Sequence, residues 1–134
     1  MFVSDEWVLL NNARSFLEVR ESDFHVDIAV SAEEALLKHL EDEYDVVVSD
    51  YEMSSMNGLE LLLEVRKRDS EIPFIIYTSK DLEEVTVEAF RCGATGCIRW
   101  DRDPTSQYTV LADSIRDAIT LRSDVKKPVV WPTP

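Results

Sequence analysis

Several residue types that build common sites are scarce in this chain. It has only three glycines among 134 residues, so it lacks a glycine-rich phosphate cradle. Its two cysteines, Cys92 and Cys97, have no histidine or third cysteine close enough in sequence to complete a zinc pattern. They read as small buried hydrophobes in a reducing compartment. His25 and His39 lie far apart and have no nucleophile beside them, so neither fits a catalytic role. No stretch approaches the roughly 20 apolar residues of a membrane span. Asp5 and Glu6 stand where a signal peptide would carry basic residues before an apolar run, so a cytoplasmic protein is expected.

Lysine is the other shortage. Lys38, Lys67, Lys80, Lys126 and Lys127 are joined by nine arginines against 27 acidic residues, for a formal net charge of -13. Direct nucleic-acid binding and attachment to anionic membranes both need a basic patch, and this balance argues against each. An acidic, lysine-poor surface also suits a high-salt cytoplasm, as in a halophilic archaeon, where repulsion among carboxylates is screened.

What is present is an alternation of two periodicities. From Glu6 to about Glu21, Leu9, Leu10, Ala13, Phe16 and Leu17 recur at helical spacing. Phe24 to Val30 alternates strictly, as a strand buried on one face at a sheet edge. Ser31 opens a helix with Glu34 completing a capping box, and Ala32, Ala35, Leu36 and Leu40 form its apolar stripe. Val46-Val47-Val48 does not alternate, which predicts a central strand covered on both faces and ending at Asp50. A loop to Asn57 leads into a helix carrying Leu59, Leu62 and Leu63. Phe74 to Tyr77 is another buried strand, and the helix from about Asp81 to Arg91 stops at Gly93. Gly96 to Arg99 is a short strand. A last helix begins at Asp103-Pro104 with Tyr108, Leu111, Ala112, Ile115 and Ile119 inward.

Counting Met1-Phe2-Val3 as a first strand gives five βα units, hence a parallel sheet with helices on both faces. A central strand usually has about five or six residues. Here the chain either starts late or has a stunted strand, and Asp5 should be held loosely as a result. The expected domain is residues 1–122, with 123–134 as a proline-broken linker or tail.

Ligands of open parallel sheets bind beyond the carboxyl ends of the strands. Those ends carry Ser4, Asp5 and Glu6, then Asp50, then Thr78 and Ser79, then Arg99 and Trp100. Clustered carboxylates repel unless a cation intervenes, and such oxygen ligands suit Mg²⁺. A carboxylate beside a divalent ion can attack a phosphoryl group.

The run Val47-Val48-Ser49-Asp50-Tyr51-Glu52-Met53-Ser54-Ser55-Met56-Asn57-Gly58 resembles the phosphorylation loop of response-regulator receiver domains, typically D-x-x-M-P-x-M-[ND]-G. Phe2 to Glu6, Ile75 to Ser79 and the Gly93-Ala94 turn extend the likeness to about residue 122. The resemblance implies a doubly wound α/β fold of the flavodoxin-like, CheY-like kind with strand order 2-1-3-4-5. It implies a signalling domain in a two-component phosphorelay and not an enzyme. Asp50 would be the phosphoacceptor and Thr78 the switch hydroxyl, with Mg²⁺ on Asp5, Asp50 and the Glu52 carbonyl. Ser4, Glu6, Ser79 and Lys80 would be accessory. The implied partners are a histidine kinase or phosphotransfer protein, and a downstream protein or domain docking on the fourth helix, fifth strand and fifth helix. A homodimer is also admitted.

The departures from the family pattern carry information too. One of the acidic pair before the first helix is Ser4, the loop proline is Ser54, and the switch aromatic falls at Cys97. The lysine that pairs with phosphoryl oxygens falls at Trp100, which cannot supply a positive charge. Lys80, Arg99 or Arg102 are the candidate substitutes. A pseudo-receiver, the same fold used as a phosphorylation-independent interaction module, is therefore the alternative. A third reading is an aspartate-nucleophile phosphatase, but Glu52 stands where its second aspartate belongs, and sustained phosphate release from a generic ester would mark it.

Overall fold

The structure, a computed structural model, describes residues 1–78, 82–99 and 104–126. Five parallel strands form one sheet: β1 (Phe2–Val3), β2 (Ile28–Ala29), β3 (Val47–Asp50), β4 (Phe74–Thr78) and β5 (Gly96–Arg99). They lie in the order β2-β1-β3-β4-β5, as expected. The connecting helices are α1 (Trp7–Arg20), α2 (Ala32–Glu41), α3 (Gly58–Arg68), α4 (Leu82–Arg91) and α5 (Pro104–Lys126).

The alternation of side chains along each strand divides the apolar residues into two cores. Phe2, Val48, Ile75 and Tyr77 meet Leu10, Leu17, Leu111 and Ile115 beneath α1 and α5. Val3, Val47, Phe74 and Ile76 meet Ala35, Leu61, Leu62 and Val85 beneath α2, α3 and α4. Helices therefore cover both faces of β3 and β4, which is why these strands tolerate unbroken apolar runs.

The first strand is short even though it lies between β2 and β3. It is anchored at its start: the Met1 amine donates to the Val46 carbonyl at 2.9 Å, and Val48 N–H donates to the Met1 carbonyl at 2.9 Å. This shortness explains a correction to β2. The alternation from Phe24 to Val30 predicts a long edge strand, yet β1 offers partners only to Ile28 and Ala29. Upstream, the Val26 N–H donates instead to Glu18 Oε2 at 2.8 Å, and Val30 is exposed. Val26 and Ile28 face inward as expected, but Ala29, expected outward, is fully buried in the opposite core, so β2 is covered on both faces where it pairs with β1.

Two helix details also differ from expectation. Ser31 Oγ accepts the Glu34 N–H at 3.1 Å, but Glu34 turns to Lys38 at 3.4 Å, so the expected box is only half made. The full capping box forms at α3, where Asn57 Oδ1 accepts from Glu60 N–H and Glu60 Oε1 accepts from Asn57 N–H. Leu40 and Leu63, expected inward, are 64% and 47% exposed, while Leu61 and Val65 fill the α3 core. Gly93 ends α4 at φ 99°, with Ala94 N–H on the Ala89 carbonyl, a Schellman closure. The last helix continues to Lys126, so Ser123–Lys126, assigned to the tail from its prolines, belong to α5.

Candidate functional site

The carboxyl ends of β1, β3 and β4 converge on one cleft of about 280 Å³. Asp5, Glu6, Asp50, Glu52, Tyr77 and Thr78 are among the residues that line it. The parallel register places Asp50 directly beside Tyr77, and Phe2 and Val3 beside Val48 and Ser49. The end of β1 therefore delivers Ser4 and Asp5 to the flank of Asp50.

Asp50 is half-buried and held on both oxygens. Ser4 Oγ donates to Oδ2 at 3.2 Å, and the Glu52 N–H donates to Oδ1 at 3.2 Å. Ser4 is fully buried and its hydroxyl also accepts the Glu6 N–H at 3.1 Å, so it ties the start of α1 to the carboxylate. Burial pushes the Asp50 carboxyl up to about 6, against the two hydrogen bonds, and the charges of Glu6 and Asp5 add to the rise. Asp5 is exposed, and its Oδ2 accepts from Ser54 Oγ at 2.8 Å.

The loop after Asp50 is shaped by Gly58. The Gly58 N–H donates to the Tyr51 carbonyl at 2.9 Å, and the Tyr51 N–H to the Tyr77 carbonyl at 2.9 Å. A Cβ on Gly58 would lie 2.5 Å from the Asp50 carbonyl oxygen, so the start of α3 needs glycine to rest against the β3 backbone.

Thr78 is buried at the end of β4 and lines the same cleft. Cys97 sits half-buried in β5 beside Ile76, among the α2–α4 core residues, and burial pushes its thiol up. Arg99 is exposed at the end of β5. Ser79, Lys80, Trp100 and Arg102 lie outside the described residues.

The donor set suits a hydrated divalent ion. Among the described residues no three His, Cys, Asp or Glu side chains are arranged to hold a metal by themselves. Mg²⁺ takes one or two carboxylates and keeps several waters, and the Asp5 and Asp50 carboxylates with a backbone carbonyl are the groups here that could hold one. The Asp50 carboxyl is raised chiefly by burial, and the nearby charges of Glu6 and Asp5 act in the same direction.

Ser4, an accessory residue by the family resemblance, and Ser54, which stands in place of the loop proline, both depart from the family pattern. The structure gives each a contact: Ser4 holds Asp50, and Ser54 holds Asp5. The only sequence signal for either was its position at the end of a strand or in the loop just after Asp50.

Residues 1–106 match the family described as the response regulator receiver domain. The chain belongs to that family. Among curated relatives, the transcriptional regulatory protein ResD of Bacillus subtilis is 30% identical over 93 residues, which is 69% of this chain and 38% of ResD. The probable transcriptional regulator ycf29 of Porphyra purpurea is 29% identical over 89% of this chain and 57% of its own length. This receiver chain thus covers well under two thirds of the length of each of these relatives. Among solved structures, a response regulator receiver domain protein from Clostridium thermocellum superposes with TM-score 0.82 at 25% identity, covering 92% of this chain and 95% of that one. The Thermotoga maritima response regulator TrrA, solved in complex with Mg²⁺-BeF, shares the fold with TM-score 0.73 at 24% identity, covering 87% and 95%. No helix among the described residues is long and apolar enough to cross a membrane.

Proposed function

We propose that this receiver domain accepts a phosphoryl group on Asp50 and answers by changing a protein-binding surface. One observation carries the reading: Asp50 ends β3 in an open cleft, oriented by Ser4 and the Glu52 N–H, with Asp5 alongside. A carboxylate held this way has lost part of its rotamer freedom before the donor arrives, which is the positioning component of phosphoryl transfer. An Asp50 oxygen forms the O–P bond while the P–N bond of a phosphorylated kinase histidine breaks, and the electron pair stays on the imidazole nitrogen. Asp5, Asp50 and the Glu52 carbonyl would hold Mg²⁺, whose charge would neutralise the phosphoryl oxygens. Ser54 keeps the Asp5 carboxylate in place for that task. The Thr78 hydroxyl, at the end of the neighbouring strand, is the switch group that turns toward the phosphoryl oxygens, and the output face is formed by α4, β5 and α5.

Beryllofluoride with Mg²⁺ mimics an aspartyl phosphate and gives a direct test. Fluorine resonances of a bound species that require Mg²⁺ and vanish in Asp50→Ala support the proposal. Their absence from the folded wild type would count against it.

One observation favours a second reading. Trp100 replaces the phosphoryl-binding lysine, and a pseudo-receiver would dispense with that charge. The domain would then dock its partner whatever the state of Asp50.

A further inference from the structure

One wall of the Asp50 cleft has no part in the roles assigned so far. Tyr77 is the register partner of Asp50 across β3 and β4, about 4.8 Å away in the ladder direction. Both side chains point to the α1–α5 face, because Val48, two residues before Asp50, and Tyr77 itself belong to that core. The Tyr77 ring packs edge-on against Phe2, with centroids 5.9 Å apart at 77°. Its hydroxyl accepts a hydrogen bond from Gln107 Nε2 in the first turn of α5, and both residues are buried.

Gln107 in turn lines a second, shallow groove between the starts of α1 and α5, together with Trp7, Val8 and Tyr108. Trp7 is 56% exposed there. A single residue therefore lines the Asp50 cleft and has its hydroxyl fastened to α5. At the position of the family's switch aromatic, β5 carries Cys97, a small residue packed in the opposite core.

We propose that Tyr77, gripped by Gln107, is the positioning residue that carries the charge state of the Asp50 cleft to the start of α5 and the groove around Trp7. The inference rests on the phosphoacceptor reading of Asp50 and adds a route by which that site is heard elsewhere. The physical basis is the cost of leaving a buried amide or hydroxyl without its partner. The Tyr77 ring cannot shift while Gln107 stays still unless that bond is lost. A change of charge at Asp50 acts on the phenol beside it, and the paired amide follows.

The test is an ¹⁵N spectrum read at the Gln107 side-chain amide and the Trp7 indole. Asp50→Asn alters the cleft charge with no phosphodonor present, and both signals are expected to move. In a Tyr77→Phe background, which keeps the ring, the same substitution should move the Trp7 indole less, by only what the Ser4–Glu6 link at the start of α1 transmits. Gln107→Met gives a second break of the link if Tyr77→Phe does not fold. A Gln107 amide unmoved by Asp50→Asn, or a Trp7 shift undiminished by loss of the Tyr77–Gln107 bond, overturns the proposal. Beryllofluoride with Mg²⁺ separates the two claims: failure to bind sinks the phosphoacceptor reading, while the response to Asp50→Asn judges the coupling by itself.

Discussion

Asp50→Asn should make the protein more stable at neutral pH, even though it removes the proposed reactive group. The Asp50 carboxyl is raised from 3.8 to about 6, chiefly by burial. The native state therefore binds the proton more tightly than the unfolded chain does. The sign follows: the penalty is absent below about pH 4, grows as pH rises toward 6, and is complete above that. At about 1.4 kcal/mol for each unit, the full shift corresponds to about 3 kcal/mol. Asp50 is only half-buried, so solvent screening reduces this to about 1–2 kcal/mol. Asparagine keeps the shape and a carbonyl oxygen for one of the two hydrogen bonds while removing the charge. Urea unfolding of both proteins in chelator should show the asparagine variant more stable by about 1–2 kcal/mol at pH 7.5, with the gap closing by about pH 4. Groups common to both proteins cancel in this difference. Saturating Mg²⁺ should shrink the gap at pH 7.5, since only the wild type gains a full ligand for the ion. An asparagine variant no more stable at pH 7.5, or a gap that ignores pH, would refute this account of the site's electrostatics.

Two further substitutions probe the loop and the missing cation. Gly58→Ala drives a methyl into the Asp50 carbonyl oxygen, 2.5 Å from the ideal Cβ position, and should cost about 1–3 kcal/mol in urea unfolding while weakening beryllofluoride binding. A destabilisation within about 0.5 kcal/mol would show that α3 can move away freely. Trp100→Lys restores the charge that the family places there, and phosphorylation by a small phosphodonor should speed up by about tenfold or more. An unchanged rate would mean that another cation already fills the role, or that the chemistry is absent altogether.

Much of the fold was legible because burial on both faces leaves a direct mark. The valine run before Asp50 and Phe74 to Tyr77 announced β3 and β4, and the strand order followed from the family resemblance. The length of β2 was not legible, since its ladder depends on how much of β1 exists to pair with it. Leu40 and Leu63 misled because a helical leucine says nothing about which neighbouring helix is present to cover it. At the site, Asp5, Glu6, Asp50 and Thr78 gather as strand ends should in a parallel sheet. The contacts that organise them were hidden. Ser4 reaches Asp50 across 46 residues, Ser54 reaches Asp5 across 49, and Gln107 reaches Tyr77 across 30. Such pairings depend on register and helix docking, which no local pattern encodes.

The central claim, that Asp50 is a working phosphoacceptor, is tested most directly by intact mass after incubation with Mg²⁺ and acetyl phosphate. One added phosphoryl group is predicted in the wild type and none in Asp50→Ala, with the adduct lost when Mg²⁺ is chelated beforehand. An unmodified wild-type mass, in protein shown to be folded at both low and high salt, would contradict the claim and leave the phosphorylation-independent module as the account of this chain.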